Sequence, residues 1–197
     1  MAHFHFKTPL TEADVQQLAV GDSVTLDGII YGVRDANLIR VFDQKVAPPC
    51  DWKGAALLHT APNVKKIGPG KYEAICVGTT TSMRMDRFTE GLLRDYGVRA
   101  ILGKGGLSKQ SAELMKQYGA VYLSVTGGAA ALETLQIEEI EKAYWEDLMP
   151  ECIWQIRFKG LGPLTVGIDA HGENLQADVQ TQAQQKTADL LKQMGIV

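Results

Sequence analysis

Residues 77–88, with the sequence VGTTTSMRMDRF, place three threonines and a serine directly ahead of a helix-like run that contains Arg84. Hydroxyls suit a helix start because they accept hydrogen bonds from the unpaired backbone N–H groups there. Four hydroxyls exceed what capping requires. The same place offers free N–H groups and the positive end of the helix dipole, which favour an anion. We therefore predict that this threonine loop, residues 78–82, binds an anion. The predicted contacts are Thr79, Thr80 and Thr81.

A second segment, the glycine loop at residues 103–106, has the sequence GKGG and places one lysine among three glycines. Alone, such a loop is more typical of a surface turn, and its spacing differs from that of a nucleotide-binding P-loop. Glycines nevertheless let the backbone approach a ligand closely. If the two loops share one edge of a sheet, Lys104 and Gly105 lie beside Arg84 in a cationic anion site.

Two further residues carry open alternatives. Arg34 precedes Asp35 at a predicted helix start, which indicates either a surface ion pair that caps the helix or a bidentate clamp for a carboxylate. His59 ends an apolar strand, where a core histidine is more usual than a proton carrier.

The three cysteines, Cys50, Cys76 and Cys152, are far apart and odd in number. Disulfide scaffolds and zinc sites need closer, paired spacings. Three thiolates can hold a [4Fe–4S] cluster with one open iron, but buried small side chains are the favoured interpretation. We predict no metal site within this chain.

The elements that must position these loops follow a regular order from residue 72 onward. Strands predicted at 72–77, 98–103 and 120–125 each lead through a polar or glycine-rich loop into a helix. Three such units predict an α/β fold with a parallel sheet and right-handed crossovers. The loops would then lie at the carboxyl ends of the strands, where ligands bind in such sheets.

The rest of the chain is predicted to form one compact domain, 1–197, with these units. Before them we predict a helix from Thr11 with a capping box to Asp14, a strand over 22–33 with a hairpin turn at Asp27–Gly28, a helix over 34–44, a strand over 55–59 and a loop over 60–71. After them we predict a helix over 135–148, strands over 152–158 and 163–170, and a C-terminal helix over 178–194.

The composition is that of an ordinary soluble globular protein, with 45% hydrophobic and 22% charged residues among 197. A net charge of −3 gives no global attraction to nucleic acid or to anionic membranes. The start of the sequence lacks the apolar core of a signal peptide, and no run approaches the roughly 18 apolar residues of a membrane span. We expect a cytoplasmic protein with no nucleic-acid or membrane partner.

Several motifs together resemble the β component of iron–sulfur hydro-lyases, the class I fumarase and L(+)-tartrate dehydratase family. They span about residues 8–175 and are VRDA, VGTTTSMRMD, GKGG, GGAAAL and IDAHGENL. The segments HTAPNVKK and WEDLMPECIW are more similar to the separate tartrate-type β subunit than to the fused fumarases. The resemblance implies a swivelling β/β/α domain, which is compatible with the predicted strand–loop–helix units.

The resemblance also implies a reaction. A 2-hydroxy dicarboxylate loses water, or an unsaturated one gains it, with the open iron of a [4Fe–4S] cluster as Lewis acid. The cluster cysteines belong to an α subunit, with which this chain would form a heterotetramer. The substrate-contacting residues fall on Arg34, Thr80, Arg84 and Lys104. Thr80 and Lys104 would be catalytic, and the two arginines would bind the substrate carboxylates.

The proton step has two interpretations. A threonine hydroxyl is a poor base unless its alkoxide is stabilised, and Arg84 and Lys104 could do so by favouring the anion. Alternatively, a group of the partner subunit takes the proton and Thr80 only positions the substrate.

The sequence departs from the family pattern at two places. Relatives usually read Gly-Pro-Thr-Thr where this chain has Gly78-Thr79-Thr80-Thr81, and many have a histidine soon after the Arg-Asp pair, where Asn37 and Leu38 stand here. Both differences concern the substrate more than the reaction class. The alternative function is a non-catalytic dicarboxylate- or phosphate-binding module that regulates a partner.

Overall fold

The computed structural model describes residues 1–196 and shows a mixed α/β protein. The strands are β1 His3–Lys7, β2 Ser23–Val33, β3 Ala56–His59, β4 Asn63–Gly68, β5 Lys71–Cys76, β6 Ala100–Gly103, β7 Val121–Ser124, β8 Ile137–Tyr144 and β9 Ile153–Ile168. The α-helices are α1 Glu12–Gln16, α2 Asp35–Phe42, α3 Thr89–Arg94, α4 Lys109–Tyr118, α5 Ala130–Leu135 and α6 Leu175–Gln193. Short 3₁₀ helices lie at Ser82–Phe88 and Glu146–Leu148. The predicted α/β class is therefore confirmed.

Five of the strands form a closed ring. β2, β3, β6 and β7 pair in parallel in that order, and β9 pairs antiparallel with both β7 and β2. β1 extends the ring along the first half of β2, while β8, β5 and β4 continue outward from β9 as an antiparallel flank. The carboxyl ends of β3 and β6 thus lie side by side, which is where the two loops must meet.

Successive side chains of a strand point to opposite sides, and in the short ring strands both sides are buried. One core lies inside the ring and includes Leu58, Leu102 and Leu123. The alternate residues Leu57, Ile101 and Tyr122 belong to a second core, which the ring shares with α2, α3, α4 and the 3₁₀ helix at Ser82–Phe88. The helices that carry the candidate residues are therefore fixed by apolar packing onto the ring.

Local signals predicted several elements correctly. Thr11 and Asp14 form the capping box of α1, with Asp14 N donating to Thr11 Oγ1 at 3.2 Å and Thr11 N donating to Asp14 Oδ2 at 2.7 Å. α2, β6 and β7 lie within or close to their predicted ranges, and α4 follows β6 as the second strand–loop–helix unit predicts. Gly119 ends α4 in a left-handed conformation at φ +63°, which glycine adopts at little cost.

The prediction that the strand at 72–77 joins the parallel sheet was wrong. It forms β5, which pairs antiparallel with β4 and β8, and the parallel position belongs to the fully buried β3. The predicted loop over 60–71 contains β4, which forms a hairpin with β5 around Gly70 at φ +64°. Apolar content identified a strand at 72–77, but strand partners depend on contacts distant in sequence.

The helix predicted over 135–148 was also wrong. Most of it is β8, which pairs antiparallel with β9. Two register irregularities, one between Ile137 and Glu139 and one between Ile140 and Lys142, break the two-residue alternation of the strand. Such bulges leave the apolar residues three apart, a spacing that resembles one face of a helix.

Three smaller predictions need correction. Asp27–Gly28 is not a hairpin turn, since β2 runs through it and Gly28 lies beside a bulge at φ +102°. The strands predicted over 152–158 and 163–170 are one strand, β9. The C-terminal helix begins earlier than predicted, where Asn174 Oδ1 accepts from the backbone of Gln176 at 3.1 Å.

No helix within residues 1–196 is long and apolar enough to cross a membrane.

Glu133 of α5 is buried against β9 beside a cavity of about 240 Å³. Neither carboxyl oxygen has a hydrogen-bond partner among the described residues. Burial disfavours the charged form and raises the pKa of Glu133 to about 7 from its ordinary 4.5. The unfolded chain therefore ionises first, and the folded state loses stability as the pH rises from 4.5 to 7.

We expect Glu133→Gln to raise the free energy of unfolding at pH 8, by about 1–3 kcal/mol, because the amide carries no charge to bury. At pH 5, where the folded Glu133 is already protonated, the two proteins should be similarly stable. Denaturant unfolding at both pH values measures this. Glu113→Gln, at an exposed position of α4, is the matched control. Equal effects of Glu133→Gln at pH 5 and pH 8 would contradict the account.

Candidate active site

The threonine loop crosses from β5 onto the carboxyl ends of β3 and β6. Thr80 N donates to His59 O at 2.8 Å, and Thr60 Oγ1 donates to Gly78 O at 2.8 Å. Lys104 N donates to Thr80 O at 3.3 Å, and Ser82 N donates to Lys104 O at 3.0 Å. The structure thus brings the threonine loop and the glycine loop together, although the first loop arrives from the antiparallel flank rather than from a parallel strand.

Arg84 lies four residues after Thr80, in the 3₁₀ helix, and contacts its side chain. Arg84 Nη2 donates to Thr80 Oγ1 at 2.9 Å and lies 3.3 Å from Asp35 Oδ2. Arg84 is about half exposed, with 49% of its side-chain surface accessible. A guanidinium at this distance favours negative charge on the threonine oxygen. The contact between Arg84 and Asp35 is one that the sequence did not predict.

Arg34 precedes α2 and lies on the other side of Asp35. Its Nε is 3.4 Å from Asp35 Oδ2 and 3.3 Å from Glu151 Oε1. This Nε is buried and makes no well-aligned hydrogen bond within residues 1–196. The ion pair predicted for Arg34 is therefore present, with Glu151 as a second acidic partner, and the carboxylate clamp stays a prediction. Two arginines from separate elements converge on one carboxylate group.

Lys104 and Gly105 complete this edge. Lys104 makes no ion pair with another described residue. Its stem runs beside Gly127, where an added Cβ would lie 4.0 Å from Lys104 Cδ. Gly105 adopts φ +78°, which glycine tolerates, and its carbonyl oxygen lies 3.2 Å from the Tyr122 hydroxyl oxygen. Thr81 pairs with Lys104 in an isolated parallel bridge, and Thr79 pairs with Thr60 in an antiparallel one.

A buried polar group that sequence reasoning missed lies under the threonine loop. His59 Nδ1 and Ser82 Oγ are 2.9 Å apart, and the Tyr122 hydroxyl donates to Ser82 Oγ at 2.9 Å. Burial lowers the pKa of His59 to about 4, and the charge of Asp35 opposes this only in part. The imidazole is therefore neutral at pH 7, which agrees with a core histidine. The sequence signals were a histidine at a strand end and the last hydroxyl of the threonine loop.

The cysteines do not fit an iron–sulfur cluster. Among residues 1–196, no group of three or more histidine, cysteine or acidic side chains is placed to hold a metal. Burial raises the pKa of both Cys50 and Cys152 to about 12, which disfavours the thiolate that a metal requires. Cys76 is exposed, so its predicted burial was wrong. It lies at the end of β5, in the flank rather than in the ring.

Comparisons with known proteins agree on one family. Residues 1–179 match the family model described as Fumarase C-terminus. The chain is 40% identical over 172 residues to the L(+)-tartrate dehydratase subunit beta of Escherichia coli (strain K12), covering 87% of this chain and 85% of that protein. It is 33% identical over 187 residues to a protein of Methanocaldococcus jannaschii provisionally named as the same subunit, covering 92% and 95%. A Geobacillus stearothermophilus protein, provisionally named fumarate hydratase class I, is 34% identical over 181 residues, which are 91% of this chain and 35% of that protein.

Proposed function

The chain belongs to the family of class I fumarate hydratase and L(+)-tartrate dehydratase β subunits, and we propose that it forms half of the active site of a two-component hydro-lyase. The reaction proposed is reversible dehydration of a 2-hydroxy dicarboxylate, either L-tartrate to oxaloacetate or malate to fumarate. The observation that carries the proposal is the convergence of Arg34 and Arg84 on the Asp35 side chain, with Arg84 also contacting Thr80.

Each residue of the edge has a proposed role. Arg34 and Arg84 bind the substrate carboxylates, and the planar guanidinium suits a two-pronged contact. Asp35 shows that one carboxylate can reach both guanidiniums, and a substrate carboxylate would have to displace it or use their remaining N–H groups. The backbone N–H groups of Thr80, Ser82 and Lys104 are already paired within the protein, so the proposed contacts come mainly from side chains. The remaining proposed contacts are Thr79, Thr81, Lys104 and Gly105.

Thr80 is the proposed base. Elimination removes a proton from the carbon next to the hydroxyl-bearing carbon, and the hydroxyl leaves as water. The threonine oxygen can accept that proton only if its deprotonated form is stabilised. Its 2.9 Å contact with the Arg84 guanidinium favours the deprotonated form, whereas Asp35, 3.3 Å from the same Arg84 nitrogen, opposes it. Lys104, from the adjoining loop, adds a second cation to this edge and is the proposed catalytic partner of Thr80.

The proposal requires a partner subunit. We infer that an α subunit holds the [4Fe–4S] cluster, which acts as Lewis acid on the substrate hydroxyl, because the cysteines of this chain do not suit one. The exposed Thr81, Arg84 and Gly105 form an open edge that needs a cover to exclude water. A heterotetramer in the cytoplasm, where thiols such as Cys76 stay reduced, completes the proposal.

The substrate is tested with the chain co-purified with its α subunit under anaerobic conditions. L-tartrate, D-tartrate, malate and fumarate are offered in turn, and product is measured by absorbance or by coupled assay. We expect turnover of L-tartrate or of the malate–fumarate pair. A complex that binds these dicarboxylates with an intact cluster but converts none of them would instead indicate the regulatory binding module.

A further inference from the structure

The buried group under the threonine loop consists of three polar side chains from three elements. His59 is 1% exposed, Ser82 is 0% exposed and Tyr122 is 1% exposed. His59 ends β3, Ser82 begins the 3₁₀ helix, and Tyr122 lies on β7. The contacts His59 Nδ1 to Ser82 Oγ and Tyr122 hydroxyl to Ser82 Oγ, both 2.9 Å, place the serine at the centre.

We propose that His59, Ser82 and Tyr122 form a positioning network that fixes the Thr80 hydroxyl for the proposed reaction. The inference rests on the proposed function of Thr80. None of the three side chains contacts Thr80 Oγ1 directly in the structure, so they are positioning residues rather than catalytic ones.

Backbone hydrogen bonds link the network to Thr80 and to the glycine loop. The carbonyl of His59 accepts from Thr80 N at 2.8 Å, and Ser82 N donates to Lys104 O at 3.0 Å. The Tyr122 hydroxyl also contacts Gly105 O at 3.2 Å. The network therefore holds the strand end beneath Thr80, the end of the threonine loop and the glycine loop in one arrangement.

The neighbouring backbone leaves space for this network. A Cβ added to Gly103 would lie 1.9 Å from Ser82 Oγ and 3.3 Å from His59 Nδ1. Real side chains do not make such a contact, so glycine at 103 is required for the His59–Ser82 pair to sit against β6. The glycine before Lys104 thus serves the network as well as the loop.

His59 also buries an unpaired polar atom, which lowers stability and which a purely structural residue would avoid. Its Nε2 is buried and has no hydrogen-bond partner among the described residues. An apolar side chain at this position would leave no unpaired polar atom in the interior. Because burial keeps the imidazole neutral at pH 7, it serves Ser82 as a fixed hydrogen-bond partner and not as a charge.

The test compares His59→Asn with His59→Gln in the assembled enzyme. Asparagine places a polar atom near the former Nδ1 and can keep the bond to Ser82, whereas glutamine places its polar atoms nearer the former Nε2. We expect His59→Gln to lower kcat by about tenfold or more with little change in KM, since small misplacements of reacting groups are costly. His59→Asn should retain most of the turnover. His171→Gln, at an exposed histidine, is the control.

A double-mutant cycle with Thr80→Ala separates positioning from general destabilisation. If the network acts through Thr80, His59→Gln should cause little further loss of kcat once Thr80 is alanine. An equal loss in both backgrounds would overturn the proposal. Should His59→Gln fail to fold, Tyr122→Phe removes the outer hydroxyl with little change in volume and is expected to lower kcat in the same Thr80-dependent way.

Hydrogen exchange distinguishes this inference from the proposed function. The amides of residues 78–82 should exchange faster in His59→Gln than in His59→Asn, measured by mass spectrometry on the assembled complex. Unchanged exchange in His59→Gln would overturn the network even if the wild-type complex is an active hydro-lyase. Faster exchange in a complex that converts no dicarboxylate would support the network's hold on the loop and reject the proposed reaction.

Discussion

Replacing Thr80 by alanine is expected to lower kcat of the assembled enzyme by about 10²-fold or more, with little change in KM. The hydroxyl oxygen is the proposed base, and the Arg84 contact at 2.9 Å is the feature that favours its deprotonated form. Thr80→Ser keeps an oxygen within reach of Arg84 and should retain more turnover than the alanine variant. Steady-state kinetics on both variants measure the difference.

If Thr80 is instead a helix cap, the expected result is different. The residue at the cap position of the 3₁₀ helix is Thr81, and Thr80 Oγ1 accepts from a side chain rather than from a helix N–H. A capping loss would cost about 1 kcal/mol of stability and leave turnover nearly intact. Thermal melts on the same preparations decide between the two. A destabilised but fully active Thr80→Ala enzyme would remove Thr80 from the chemistry.

Arg84→Lys is expected to raise the apparent KM for the dicarboxylate by about 10- to 100-fold, equivalent to roughly 1.5–3 kcal/mol for a charged hydrogen bond. Lysine keeps the charge but loses the planar, two-pronged geometry. Because Arg84 also contacts Thr80, a smaller fall in kcat should accompany the change in KM.

Arg87→Lys is the matched control for Arg84→Lys. Arg87 lies on the same 3₁₀ helix, is similarly exposed at 56%, and contacts both carboxylate oxygens of Asp43 at 3.1 and 2.7 Å. Arg87→Lys therefore removes the same planar, two-pronged geometry at a position where no substrate contact is proposed. Equal kinetic effects of the two substitutions would contradict a substrate contact at Arg84.

The loops of the candidate site could be predicted from the sequence because their signals are local. Hydroxyls ahead of a helix and glycines after a strand mark chain turns that must lie at strand ends. The route of the chain to that edge was not predictable in the same way. β3 is fully buried, whereas β5 carries the charged residues Lys71 and Glu73 and is mostly exposed. These charges were a local signal against a central parallel strand, but the partners β8 and β4 of β5 depend on contacts distant in sequence.

The missed features are those that depend on packing distant in sequence. The sequence predicts an ion pair of Asp35 only with its neighbour Arg34, yet Asp35 also contacts Arg84, 49 positions along the chain. The His59–Ser82–Tyr122 network joins three elements and has no spacing that a motif could reveal. The swivelling character implied by the family resemblance stays a prediction.

Mixing the separately purified subunits under anaerobic conditions tests the central claim most directly. Purified chain is added stepwise to the cluster-loaded α subunit, and conversion of L-tartrate and of malate is followed together with the iron and sulfide content of each component. We predict that neither subunit alone has appreciable activity, that the chain alone takes up no stoichiometric cluster, and that activity rises until the subunits are equimolar. A chain that reconstitutes its own cluster, or an α subunit as active alone as in the mixture, would contradict the account.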